Sequence, residues 1–89
     1  MREQMEDVLK KELRFLALKE RNRCGYTQEQ MSEVLMMSKR SYSDIECGIS
    51  ACGTLTAILL ILHTEDPNLF LYRIEKEFRK LMIKEKIGV

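Results

Sequence analysis

Residues 27–48 read TQEQMSEVLMMSKRSYSDIECG, and the rest of the chain is arranged around them. Two short helical patterns stand in tandem there, with about one turn of chain between them. Thr27 caps the first, its hydroxyl over the free N–H groups of Glu29 and Gln30. Met31 and Leu35 give that helix an apolar stripe, and Ser32 is small enough to let a second helix cross closely. Ser38 caps the second pattern, Tyr42 and Ile45 supply its inward side, and Gly48 ends it where the chain turns left-handed. Lys39, Arg40, Ser43 and Asp44 remain outward. Two tight helices presenting a short polar row suggest a helix-turn-helix, whose second helix, here 38–47, enters the major groove of double-stranded DNA.

The stretch resembles the Cro/C1-type helix-turn-helix, also called the Xre family, which includes the lambda-like phage repressors. Its usual pattern has Thr-Gln-Glu at the start, a small residue at the fifth helix position, Gly-Val-Ser at the turn and Ile-x-x-Ile-Glu-x-Gly at the end. Here Thr27-Gln28-Glu29, Ser32, Met36-Met37-Ser38, Tyr42 and Ile45-Glu46-Cys47-Gly48 take those places, and the likeness extends loosely to about Leu62. Met36 replaces the turn glycine, so a non-glycine must adopt that backbone conformation or the turn differs. Tyr42 replaces a smaller aliphatic residue, so the pocket behind the second helix must be wider. The resemblance implies an all-α, compact five-helix, lambda-repressor-like domain, here with extended N- and C-terminal helices. It also implies a sequence-specific transcriptional regulator that binds half-sites as a symmetric homodimer.

The resemblance places base-reading side chains in the first turn of the second helix, where Lys39 and Arg40 suit guanine O6 and N7. Asp44, one turn on, accepts from cytosine N4 or steers Arg40; Ser41 and Ser43 are short enough to meet phosphate or a base edge. The family glutamine, here Gln28, touches phosphate and braces a recognition-helix side chain. Lys19 and Arg23 are auxiliary phosphate candidates. Ser50 lies in the polar loop 49–53, whose free amides are expected to approach phosphate. The family commonly pairs a first-helix arginine with the glutamate closing the second motif helix. In this chain they are Arg21 and Glu46, and a guanidinium fork gripping a carboxylate would tie helix one to the recognition helix.

Composition limits the alternatives. At 89 residues, 45% hydrophobic and 33% charged, the chain makes one small soluble domain. Net charge is +1, and residues 1–48 balance nine Lys/Arg against nine Asp/Glu. The positive surplus lies in residues 67–89, with six bases and three acids. Non-specific DNA affinity comes mainly from neutralised phosphates, so a single copy binds weakly and a dimer doubles the contacts. Cys24, Cys47 and Cys52 form no Cys-x-x-Cys pair and read as free thiols of a reducing, cytoplasmic compartment. A charged N-terminus argues against a signal peptide, and Leu55–Leu62 is far short of a membrane span.

The flanks read as helix, with no sheet. Met5, Val8, Leu9, Leu13, Leu16 and Ala17 form a buried stripe over residues 2–23, closed by Cys24-Gly25. Residues 1–11 extend beyond the family's first helix and require a partner surface. Thr54 is expected to cap a fourth helix that is apolar nearly all round and so buried on two sides. Asp66-Pro67 starts a helix to about Lys86, whose face carries Phe70, Ile74, Phe78, Leu81 and Met82. Phe70, Ile74, Phe78 and Leu81, with Met5 and Leu9, are the expected dimer interface. One histidine, His63, and scattered cysteines make no metal site. There is no glycine-rich phosphate loop, and no cofactor, small-molecule ligand or enzymatic activity is indicated. A second reading of the whole is a protein-interaction module, antitoxin-like or an assembly partner, on a retained scaffold.

Overall fold

The computed structural model describes residues 1–51 and 53–84, which form five helices and no strand. They are α1 (Arg2–Cys24), α2 (Gln28–Val34), α3 (Lys39–Glu46), α4 (Thr54–His63) and α5 (Pro67–Lys84). Cys52 and the expected α5 terminus at Lys86 lie outside the described residues. The all-α architecture expected from the sequence is therefore the one the chain adopts.

The axis of the molecule is α1, which packs against α3, α4 and α5, while α2 packs against α3. Leu13, Leu16 and Ala17 of α1 meet Met31 and Leu35 of α2, Tyr42 and Ile45 of α3, Leu60 of α4 and Phe70 of α5 in one core. Tyr42 is fully buried, and its hydroxyl donates to the Ala17 carbonyl at 3.4 Å. Ala17, itself without exposed surface, provides the width that the larger Tyr42 needs.

Three helices end in one backbone device. The amides of Gly25 and Tyr26 bond to the carbonyls of Asn22 and Arg21. Those of Met36 and Met37 bond to Glu33 and Ser32, and those of Gly48 and Ile49 to Ile45 and Asp44. Each pair is a Schellman closure around one left-handed residue. Gly25 and Gly48 hold φ of 70° and 74°, and Met36 holds 55°, the only positive φ on a non-glycine among the described residues. The motif thus keeps the turn conformation without the glycine.

Of the N-terminal extension, residues 1–11, Leu9 packs against the core and none is fully buried; α5 is seated on α1 just beyond it. Ile74 packs against the core too, and Arg73 of α5 grips the buried Glu12 of α1, with Nε to Oε2 at 2.8 Å. The same guanidinium lies 4.5 Å from the centre of the Phe15 ring, a cation–π contact.

Three expectations are corrected. Gly53, not Thr54, occupies the cap position of α4; no side chain caps that end, and Thr54 is the first helical residue. Only Leu60 of α4 is fully buried, while Leu55 and Leu62 are 62% and 75% exposed. One flank of α4 meets the fold and the other meets no element among the described residues. Phe70, expected at a dimer interface, is a core residue, because α5 turns it toward α1 and α4. Met5, Leu9, Ile74, Phe78 and Leu81 are half-buried.

Candidate nucleic-acid interface

Helix α2 begins with a reciprocal capping box. The Gln30 amide donates to Thr27 Oγ1 at 3.1 Å, and Thr27 N–H donates to Gln30 Oε1 at 2.9 Å. At the start of α3 the Ser41 amide donates to Ser38 Oγ at 3.1 Å. Both helices of the motif are thus fixed at their leading ends by side chains whose types and spacing sequence alone reveals.

The back of α3 is locked by one carboxylate. Glu46 is 7% exposed and accepts Arg21 Nε at 2.6 Å and Arg21 Nη2 at 3.1 Å in a two-pronged grip. Gln28 Nε2 donates to the same carboxylate at 3.0 Å, so residues of α1 and α2 converge on α3. Burial pushes the Glu46 carboxyl up, but the bonds from Arg21 and Gln28, with the Tyr42 hydroxyl nearby, outweigh it and hold it below the usual carboxylate value. Burial, and then the neighbouring Glu46, push the Tyr42 phenol well above its ordinary range. Tyr42 therefore stays neutral and able to donate.

Arg14, which sequence reasoning passed over, belongs to this lock. Its Nε donates to the Glu46 backbone carbonyl at 2.7 Å, and its side chain runs beside Gly48. Arg14 and Arg21 are seven residues apart, two helical turns, and so leave α1 on one face. That spacing was the available signal; the backbone acceptor left none.

The outer side of α3 is open. Lys39, Arg40 and Ser41 are exposed, and Ser43 and Asp44 are half-exposed. Arg40, Ser43 and Asp44 share one face by helical spacing, as does the exposed Cys47. The Ser41 hydroxyl accepts from Ser38 Oγ at 2.9 Å.

Other expected contacts sit elsewhere. Lys19 stands on the far side of α1 and lines a small cleft with Thr64, Asp66 and Arg73. Arg23 is bound to Glu20 and to Glu65, at 2.9 and 3.1 Å, which raises its pKa further. Lys19 and Arg23 are each two residues from Arg21, about 200° around a helix, and so cannot share its α3-facing side. The Gln28 amide nitrogen points at Glu46. In the 49–53 loop the amides of Ile49 and Ser50 are taken by the Asp44 carbonyl, at 2.9 and 3.3 Å, and the Ser50 hydroxyl donates to Ala51. Those two amides are not free for phosphate: the Ile49 amide belongs to the Schellman closure of α3, and the Ser50 amide shares its carbonyl acceptor.

Among the described residues no group of side chains could hold a metal ion, and no helix is long and apolar enough to cross a membrane. No curated protein and no solved structure matches the chain. Residues 18–61 match the model of a family described as helix-turn-helix, a span that takes in the whole motif and both ends of the Arg21–Glu46 pair. That segment, residues 18–61, is a helix-turn-helix of the Cro/C1 type, a family of DNA-binding regulators.

Proposed function

We propose that the chain is a sequence-specific transcriptional regulator that reads the major groove with α3 as a homodimer. The observation that carries this reading is the division of α3 into two sides. Its inner polar group, Glu46, is held by Arg21 and Gln28, while Lys39 and Arg40 stand exposed in its capped first turn. Lys39 and Arg40 donate to guanine edges, Asp44 accepts from cytosine N4 or from Arg40, Ser43 meets a neighbouring base edge, and Ser41 contacts phosphate. Arg21 and Gln28 act through Glu46 by fixing the angle at which α3 leaves the fold.

The homodimer reading is supported by apolar surface that no element among the described residues covers. Leu55, Ile58 and Leu62 of α4 are exposed, and an open apolar cavity of about 350 Å³ lies between α1, α4 and α5, lined by Leu9, Ile58, Leu71 and Ile74. To read a palindrome, a dimer joined there must present its two α3 helices to successive major-groove faces, roughly 34 Å apart on DNA. The same exposed surface favours a second reading, in which a different protein docks on α4 and DNA binding is lost.

Selection of binding sites from random duplex DNA separates the two. The regulator reading expects a palindromic site whose affinity falls steeply as salt rises. Recovery of no common sequence, or affinity indifferent to salt, contradicts it and favours the protein-binding reading.

A further inference from the structure

A second polar cluster lies away from α3, where the end of α1 meets the end of α4. Glu20 is 1% exposed, and Arg23 donates to its carboxylate through Nε at 3.1 Å and Nη2 at 2.9 Å. His63 Nδ1 stands 3.2 Å from Glu20 Oε1, and its other ring nitrogen, Nε2, stands 3.9 Å from Cys24 Sγ. The thiol is only half-buried. A buried carboxylate, an imidazole and a thiol therefore stand in line, drawn from two helices that are 39 residues apart at the Cys24–His63 contact. The DNA-facing motif makes no use of them.

The order of the three groups sets their chemistry. Burial pushes the Glu20 carboxyl up, but the bonds from Arg23 and His63 outweigh it and keep it below the usual value, so Glu20 is an anion. An anionic carboxylate accepts a proton-bearing nitrogen, which puts the ring proton on Nδ1 and leaves the Nε2 lone pair facing the thiol. Nucleophile, base and orienting carboxylate are then each within reach of the next.

We propose that Cys24, His63 and Glu20 form a thiol-activating relay that makes Cys24 a modification site for hydroperoxides. His63 Nε2 takes the Sγ proton, and Glu20 balances the imidazolium that results. The thiolate attacks one peroxide oxygen; the S–O bond forms as the O–O bond breaks. The departing oxygen takes the proton from the imidazolium and leaves as water or an alcohol. Sulfur is oxidised to sulfenic acid and the peroxide is reduced, with no other reactant needed.

Cys47 is the built-in control. It is exposed, it also stands at a helix C-terminal end, and the chain's one histidine is committed to Cys24 and Glu20. Two single-thiol proteins, Cys47→Ser with Cys52→Ser and Cys24→Ser with Cys52→Ser, are treated with hydrogen peroxide at pH 7, and thiol loss is followed. Cys24 is expected to react about ten-fold faster than Cys47 or more, because an unassisted thiol is only a few per cent thiolate at pH 7. In the Cys24-only protein His63→Gln should remove most of that advantage. Glu20→Gln, which keeps the imidazole but removes the charge that orients it, should remove a smaller part without changing Cys47 in the matching protein. A Cys24 rate equal to or below that of Cys47 overturns the relay, as does a folded His63→Gln protein that reacts as fast as its parent. Should His63→Gln fail to fold, the comparison of the two thiols decides alone, because it leaves the cluster intact.

Discussion

Met36 is the residue at which this chain departs most plainly from its family, and its backbone carries the cost. A left-handed conformation disfavours an L side chain by about 1–2 kcal/mol, against a smaller entropic penalty for glycine. Met36 is 69% exposed, so its side chain loses little packing on removal. Met36→Gly is therefore expected to raise stability by about 0.5 kcal/mol, read as a higher urea midpoint with unchanged slope. A large destabilisation would mean that the methionine packs in a way its exposure conceals. Arg21 is the opposite case. Arg21→Ala leaves the buried Glu46 carboxylate without its main partner and should cost about 3 kcal/mol in the same measurement. A loss below about 1 kcal/mol would show that Gln28 and Arg14 hold α3 without it. The Arg21–Glu46 pair was legible because both partners are charged side chains at family spacing. Arg14 was not, since its acceptor is a main-chain carbonyl that any residue provides.

At the scale of elements, helix ends were the most readable feature and helix burial the least. Thr27, Ser38, Gly25 and Gly48 announce their caps by type alone, and the structure uses all four. The Thr54 cap failed because a serine or threonine at a helix start can equally be its first helical residue, with glycine before it. The two-sided burial of α4 failed for a different reason: composition says which surfaces seek cover, not whether one chain holds enough mass to cover them. The attachment of α3 also sets a pH dependence. Glu46 has its folded pKa below the usual 4.5, so its contribution is present above that value and is lost as pH falls through the folded pKa. The stability gap between the native chain and Glu46→Gln should be widest near pH 6–7 and should close as acid protonates Glu46. A gap independent of pH from 3 to 7 would mean that the carboxylate charge does not hold α3.

For the whole molecule, α1 is both the floor of the motif and the seat of α5. The packing of α5 back onto it satisfies part of the surface that the sequence suggested for a second copy. What remains uncovered is centred on α4. Ile58 is 49% exposed and lines the apolar cavity, so Ile58→Asp should abolish self-association in sedimentation while leaving the helical spectrum unchanged. Persistence of a dimer in that variant would move the interface elsewhere. Arg40 ties this scale to function, because it is exposed, makes no side-chain hydrogen bond or ion pair among the described residues, and stands on the open side of α3. The most direct measurement is the ratio of affinities for a selected site and for a scrambled duplex of equal length, compared between the native chain and Arg40→Ala at one salt concentration. The account predicts that the substitution costs about 1–3 kcal/mol on the selected site, much less on the scrambled one, and leaves the melting temperature intact. An unchanged ratio would contradict the claim that α3 reads DNA through its first turn.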